Sequence, residues 1–464
     1  MRGSVRSDPG ALAPFRRDRS HLVGEPAAVV APADAEDVVS LVRWARRARV
    51  PLVARGGGTS LDGESVPPDG SVVVDLAGWN SVLEVDPAEL WARVGPGTVN
   101  LDLQVALRPH GVFFPPNPGS WTTATVGGNL GTNASGPRSF RYGPTRAWVR
   151  AAEAVLGTGE RVRFGTRAAK RSAGPDLLSL LVGSEGTLAI VTEVTVRLAP
   201  LPARREGLVV PVPVGASLGA IARRLAPSAS TGLSAVEYID RASAAVLAER
   251  RNAALPAGSA LLLLEVEAES DREAAVRRDR VLEALRTVGV DRSPTVFPDA
   301  DELWTLRGES SVALDERTGQ RIREDVAVPL GRIDELLRRL EEIGRGAGVP
   351  YYLFGHLGEG SLHPNYACDP AGPTGDRIRR AVLNAALELG GTISSEHGIG
   401  RLKVDHLERE LGAAAIDLLQ LVKRRCDPDG ILNPGKLYPA LPAREGGRPS
   451  PSLSGSAAVK APEG

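Results

Sequence analysis

Six histidines occur in this chain, and three of them stand in two short motifs toward its C-terminal end. The first motif reads Phe354-Gly355-His356-Leu357-Gly358-Glu359-Gly360-Ser361-Leu362-His363. If it forms a hairpin with Glu359-Gly360 at the tip, His356 and His363 are symmetric about the turn and share one face. Their Cβ atoms would then lie roughly 5 Å apart. Two neutral imidazoles so placed suit a divalent metal, which needs converging nitrogens. The same spacing also fits a polar surface pair. The second motif is Ser394-Ser395-Glu396-His397-Gly398-Ile399-Gly400-Arg401, with Lys403 following. A carboxylate beside a histidine supplies a third ligand and a titratable base, and the glycines let a ligand come close.

Three glycine-rich loops lie in the first 190 residues. Val50 to Ala54 runs into Arg55-Gly56-Gly57-Gly58-Thr59-Ser60. Glycines after a strand let the backbone turn sharply and bring several N–H groups to an anion, with hydroxyls following. A pyrophosphate fits, and so does a flexible turn; neither the dinucleotide nor the Walker spacing is present. The second loop reads Thr125-Val126-Gly127-Gly128-Asn129, then Thr132-Asn133-Ala134-Ser135-Gly136 and Arg141-Tyr142-Gly143. The third is Gly183-Ser184-Glu185-Gly186-Thr187-Leu188, which leads into a strand from Ile190. Three such loops feeding one domain describe a cradle for an extended ligand with many backbone contacts.

The elements that must carry these loops alternate. Strands are expected at 27–30, 51–54, 71–76, 81–85 and 91–94. A helix is expected over 33–49, where Val38, Val39, Leu41, Val42 and Ala45 recur at helical spacing. The stretch 115–143 has no periodicity and reads as a long loop, of a length that is often functional. Residues 190–198 alternate and end at Pro200, a natural boundary. Beyond Leu208 strands (209–214, 260–267, 325–328, 351–354) alternate with helices (216–225, 273–288, 333–343). That pattern predicts an antiparallel sheet backed by helices on one face. Residues 441–464 are Pro, Gly, Ser and Ala without a core pattern and are expected to be disordered.

At 464 residues the chain suits two or three domains. Its 56 basic residues balance 56 acidic ones, so no global field favours nucleic acid or an anionic membrane. Cys368 and Cys426 form no CxxC, which argues against a structural zinc or an iron–sulfur cluster and fits a reducing compartment. The N-terminus lacks the apolar core of a signal peptide, and no stretch approaches the roughly 20 apolar residues of a membrane span. The expectation is a cytoplasmic protein, with a peripheral position on the inner membrane face left open.

RGGGTSL, TVGGNLGTNASG with RYG, and GSEGTLAIVTEVTVRL together resemble the FAD domain of the vanillyl-alcohol-oxidase/PCMH-type flavoproteins. The resemblance implies an α+β fold: a two-subdomain PCMH-type FAD-binding domain over 22–200, followed by a cap of antiparallel sheet plus helices over 201–440. It implies that Gly56, Gly57, Gly58, Thr59 and Ser60 cover the pyrophosphate. Thr125, Gly127, Gly128, Asn133, Ser135 and Gly136 would line the cofactor, and Glu185, Gly186, Thr187 and Ile190 would lie near its adenosine end. Some members tether FAD through a histidine at the first loop; Thr59 and Ser60 stand there instead, so FAD is expected to be noncovalent.

The two histidine motifs, with ILNPGK at 431–436, resemble the cap of D-2-hydroxy-acid dehydrogenases of the glycolate oxidase, D-lactate and D-2-hydroxyglutarate type. The likeness covers roughly residues 20–440 and implies that His356, His363 and Glu396 hold a divalent metal such as zinc, manganese or iron. His397 would be the catalytic base, and Asn433 a cofactor contact. Arg307, in LWTLRGESS, falls where the family grips the substrate carboxylate, with Ser311 a nearby hydroxyl. Arg323 precedes EDVAVP where relatives often carry Lys. At the hairpin tip relatives usually read Asp-Gly-Asn, whereas this chain has Glu359-Gly360-Ser361, which puts the metal's surroundings in question. The implied activity is FAD-dependent oxidation of a small 2-hydroxy acid: a base takes the hydroxyl proton, a metal lowers that proton's pKa and an arginine orients the carboxylate. Electrons would leave to oxygen, a quinone, a flavoprotein or a partner subunit. Two rival readings use the same scaffold. One is a non-redox FAD transferase resembling alkyl-dihydroxyacetonephosphate synthase, which carries adjacent histidines where this chain has Glu396-His397-Gly398. The other is a non-catalytic FAD subunit, which would lack the His and Glu motifs.

Overall fold

The computed structural model describes residues 1–438 apart from 252–255 and 257; the tail expected at 441–464 lies outside them. The helix expected over 33–49 runs Ala35–Ala48, with Asp34 accepting from the N–H of Asp37 at 3.0 Å. Its apolar stripe packs on a small sheet ordered Ser4–Arg6, Ala28–Ala31, Val72–Asp75, Leu52–Arg55. The last three strands are mutually parallel, because a helix-length crossover separates the first of them from the third. A second, antiparallel sheet follows, ordered Val82–Asp86, Trp91–Val94, Ala189–Arg197, Val149–Leu156, Arg161–Gly165.

Residues 115–143 differ from the loop expected there. They contain the helices Val126–Thr132 and Ser139–Tyr142. The first of these has three glycines and no amphipathic repeat long enough to read. Thr125 caps it by accepting from the N–H of Gly128, and burial of Val126 and Leu130 in the core of the second sheet holds it.

The second half forms one antiparallel sheet. Its strand order is Thr295–Phe297, Arg204–Val212, Ala260–Ala268, Leu233–Ile239, Tyr351–His356, Ser361–Tyr366, Ile322–Arg323, with Val326–Ala327 also paired to Ser361–Tyr366. Helices cover both faces rather than one. Leu208, Val210, Leu262 and Leu264 pack with the helices Leu218–Leu225, Asp271–Arg286, Ile333–Ala347 and Pro373–Glu388. Val209, Ile239, Leu261 and Leu263 point the other way, onto Arg241–Arg251 and Ala300–Thr318. The latter helix escapes a sequence reading because Ser310 and Ala313 dilute its buried stripe of Leu303, Leu306 and Leu314.

That second face is apolar only in part. Glu237 lies two residues before Ile239, Glu265 two after Leu263 and His356 two after Phe354, so all three share it. The chain finally returns to the first sheet: Leu432 bridges Leu52, and Ile431 and Leu432 join the core beneath Ala35–Ala48. Among the described residues no helix is long and apolar enough to cross a membrane.

Candidate functional site

The first glycine loop is forced by close packing. A Cβ on Gly56 would stand 2.1 Å from Thr125 Oγ1, one on Gly57 2.1 Å from the carbonyl of Thr123, and Gly58 has φ +63°. The first and second loops therefore press together. The backbone N–H groups of Gly56, Gly57, Gly58 and Thr59 find no acceptor among the described residues. They line one wall of a cavity of about 530 Å³ that runs on to the cap. Ser60, Thr125, Gly127, Gly128, Ser135, Glu185 and Gly186 line it too, as do Arg307, Ser311, Arg323, His356, His363, Glu396 and His397. One chamber thus joins the glycine loops to both histidine motifs.

The hairpin is built differently from the expected one. Residues Leu357–Gly360 form a four-residue connection, so His356 pairs with Ser361 and His363 with Phe354. The register is displaced by two from a tip at Glu359-Gly360. Because strand faces alternate with period two, the histidines still share a face, now as diagonal neighbours with ring centroids 5.0 Å apart. Glu396 reaches both: its Oε2 is 3.2 Å from His356 Nε2 and its Oε1 3.3 Å from His363 Nε2. His397 stacks on His363 at 5.1 Å, with Nε2 3.5 Å from Glu396 Oε1. Burial works to raise the Glu396 carboxyl, but His356, His363 and His397 outweigh it and hold it well below its ordinary range.

Asp325 sets the second motif. One carboxylate oxygen accepts the backbone N–H groups of Ser395, Glu396 and His397, each at 2.8 Å, and the Ser394 hydroxyl at 3.1 Å. Ser361, at the altered hairpin tip, meets the Ser395 hydroxyl at 2.6 Å and so joins this network. The second and third glycine loops touch it as well. Ser135 donates to Glu396 at 3.0 Å, and Glu185 accepts the N–H groups of Ile399 and Gly400.

Arg307, on the helix Ala300–Thr318, donates from Nε to Glu237 at 2.9 Å and lies 4.5 Å over the Phe354 ring. Its Nη1 and Nη2 have no hydrogen-bond partner among the described residues. The Ser311 hydroxyl accepts from Arg321, which also donates to Asp315 and Asn365. Arg323 donates to Asp315 and to the carbonyl of Arg19. Five expected cofactor residues stand behind the wall instead of on it. Asn133 ends the helix Val126–Thr132 and accepts from the Arg146 N–H. Gly136 passes against Asn117, Thr187 bonds the carbonyl of Ser184, and Ile190 is core. Asn433 ties the carbonyls of Glu64 and Glu185 together.

Glu237, Asp325, Arg321 and Asn365 hydrogen-bond to the candidate site residues, and the motifs do not reveal them. The only signal for Glu237 is a single acid inside the apolar run 233–239. Asp325 is marked only by its position two residues beyond Arg323.

A profile described as "FAD binding domain" matches residues 26–165, and one described as "FAD linked oxidases, C-terminal domain" matches 201–437. The chain belongs to the FAD-linked oxidases. It is an FAD-dependent oxidoreductase. Similar relatives are the glycolate oxidase subunit GlcD of Bacillus subtilis, 34% identical over 89% of both chains, and a D-lactate dehydrogenase of Archaeoglobus fulgidus, 34% identical over 89% of this chain and 91% of that one. A D-2-hydroxyglutarate dehydrogenase of Stutzerimonas stutzeri is 32% identical over 94% and 97%. Crystalline p-cresol methylhydroxylase shares the fold at 17% identity, with a TM-score of 0.78 over 93% of each chain. This FAD-linked oxidase thus joins an FAD-binding unit to a C-terminal oxidase unit in a fold shared with p-cresol methylhydroxylase.

Proposed function

We propose that this FAD-linked oxidase oxidises a small 2-hydroxy acid of the glycolate, D-lactate or D-2-hydroxyglutarate type to the 2-oxo acid, with FAD held noncovalently. We take 22–200 as the FAD-binding domain and 201–440 as the cap. One observation carries the reading. An arginine with a free fork and a cluster of three histidines and a glutamate open into the same cavity as the glycine loops. That leaves room for one substrate to meet cofactor, carboxylate binder and base together.

The residues present fit both FAD and a divalent ion. Unpartnered N–H groups along Gly56–Thr59 suit a pyrophosphate. Among the described residues, the positions in the first loop that line the cavity after the glycines are Thr59 and Ser60, in line with FAD held noncovalently. His356, His363 and Glu396 offer two nitrogens and a carboxylate within 4.8 Å of one another, and the buried His356 Nε2 faces the Glu396 carboxylate, 3.2 Å away. That donor set suits zinc, manganese or iron. When bound, FAD supplies the hydride acceptor and a divalent ion lowers the pKa of the substrate hydroxyl.

The protein's own residues do the rest. Arg307, pinned at Nε, presents Nη1 and Nη2 to the carboxylate as a fork. Arg323 adds positive charge on the same side, and Ser311 holds Arg321 in place. His397, fixed by the Asp325 network and by stacking on His363, takes the hydroxyl proton. The acceptor of the flavin's electrons is proposed to be external, a quinone or a partner subunit, in line with the subunit named in the Bacillus relative. The two cysteines are unpaired, in keeping with a cytoplasmic setting.

Anaerobic mixing of the yellow holoprotein with D- and L-2-hydroxy acids tests the reading. Bleaching of the flavin by one configuration is expected, with chelation abolishing turnover and added zinc or manganese restoring it. Acid should release the colour from the precipitated chain. A flavin that no 2-hydroxy acid reduces would favour the non-redox transferase and end the proposal.

A further inference from the structure

Glu237 is fully buried on the central strand Leu233–Ile239, among Ile239, Leu261, Leu263 and Phe354. A carboxylate in such surroundings is costly unless it is paired, and even a good pair does no more than offset its desolvation. Its two oxygens have one partner each. Oε2 accepts Arg307 Nε at 2.9 Å, and Oε1 meets His356 Nδ1. The residue therefore touches neither cavity nor solvent. It joins the arginine with the free fork to the histidine whose other nitrogen faces Glu396.

We infer that Glu237 is the positioning residue that couples the substrate-carboxylate arginine to the cation site. The inference rests on the function proposed above and adds to it. By accepting the Nδ1 proton, Glu237 fixes the ring's orientation and leaves Nε2 as the nitrogen that faces Glu396 and can serve a cation. By accepting from Nε, it fixes the plane of the Arg307 guanidinium against Phe354 and leaves only Nη1 and Nη2 for a ligand. Both donors demand an acceptor, so a neutral isostere cannot replace it. The amide of Glu237→Gln has one acceptor oxygen and must turn its NH2 toward Arg307 or toward His356. One side of the coupling is lost whichever way it turns. Glu237→Asp keeps two acceptors on a shorter stem and should recover part of the function.

The test uses the FAD-loaded protein, Glu237→Gln and Glu237→Asp, with flavin absorbance and thermal melting as folding controls. Zinc affinity is measured by chelator competition, and KM and kcat with the best 2-hydroxy acid. In Glu237→Gln, zinc affinity should fall about 10- to 100-fold and KM should rise, while FAD stoichiometry is unchanged; Glu237→Asp should lie between. A third readout needs neither metal nor substrate. In protein labelled with ¹⁵N-histidine, the Nδ1–H of His356 bonded to Glu237 should give a downfield proton resonance, and Glu237→Gln should move it upfield. Wild-type zinc affinity and KM in Glu237→Gln, or an unmoved resonance, would overturn the inference. If the wild type takes up no zinc and no 2-hydroxy acid bleaches it, the functional reading has failed. The resonance then decides Glu237 by itself.

Discussion

In the proposed reaction Arg307 and His397 divide the work at the scale of single residues, and their variants should fail in different ways. Arg307→Ala removes the fork and also strips the buried Glu237 of one of its two partners. Losing one member of such a pair costs about 2–5 kcal/mol. Catalytic efficiency should therefore drop at least tens-fold while FAD content stays intact, and wild-type efficiency would dismiss the assignment. Arg307→Lys keeps the charge without the planar fork and should remain impaired. Under the same proposal the histidines separate metal holding from proton transfer. His356→Ala should lower both metal content and activity. His397→Ala, whose ring stacks on His363 without completing the His356–His363–Glu396 set, should keep the metal and lose about 10²–10⁴ in rate. Metal analysis beside turnover distinguishes them, and loss of metal from His397→Ala would make it a ligand instead of a base.

Elements place these residues, and Asp240 gives one of them a measurable pH dependence. It opens the helix Arg241–Arg251 by accepting the Ser243 N–H at 2.7 Å, and burial pushes its carboxyl up to about 6 against that hydrogen bond. A folded-state value above the unfolded one, near 4, means that the fold prefers the protonated acid. Its contribution is complete below about pH 4 and is lost as pH rises through about 6. Asp240→Asn keeps the acceptor and cannot ionise, so it should be the more stable form at pH 8. Two pKa units set a ceiling of about 3 kcal/mol, which Asp240's partial exposure lowers. The gap should narrow toward pH 4.5, as urea midpoints at the two pH values would report; coincident midpoints at pH 8 would refute it. The elements also explain what could be read beforehand. Ala35–Ala48 and the early strands follow from periodicity, and the glycine loops from composition. The face shared by His356 and His363 survives a two-residue error in register because strand faces repeat every two residues. Helices on both faces of the cap sheet could not be read, since Arg241–Arg251 and Ala300–Thr318 carry diluted stripes. Glu237 was equally hidden: its partner His356 is 119 positions away, and only strand pairing brings them together.

At the scale of the whole molecule, the cavity exists because the cap's polar sheet face is clamped onto the segment that leaves the second glycine loop. Arg138 Nε lies 3.6 Å from Glu265, Arg141 3.3 Å from Glu267, and the Tyr142 hydroxyl donates to Glu267 at 2.5 Å. Glu265 is fully buried; burial would raise its carboxyl, yet Arg205 and Arg138 outweigh that and hold it well below its ordinary value. The Trp304 indole also donates to Glu265, one turn before Arg307 on the same helix. The clamp therefore bears on the Arg307 side of the cavity as well as on the glycine-loop side, where neighbouring Ser135 and Pro137 line it. Breaking a buried pair by removing one partner costs about 3–5 kcal/mol, somewhat less here because Arg205 still faces Glu265. Arg138→Ala should lower the melting temperature and speed release of FAD, as the cap loosens over the glycine loops. Arg204→Ala, which breaks an exposed pair between the strand Arg204–Val212 and Asp271 at the start of the helix Asp271–Arg286, should do neither. Equal FAD release from Arg138→Ala and wild type would mean that the cap is held by its other contacts, such as Ser135 on Glu396 and Glu185 on the loop at Ile399.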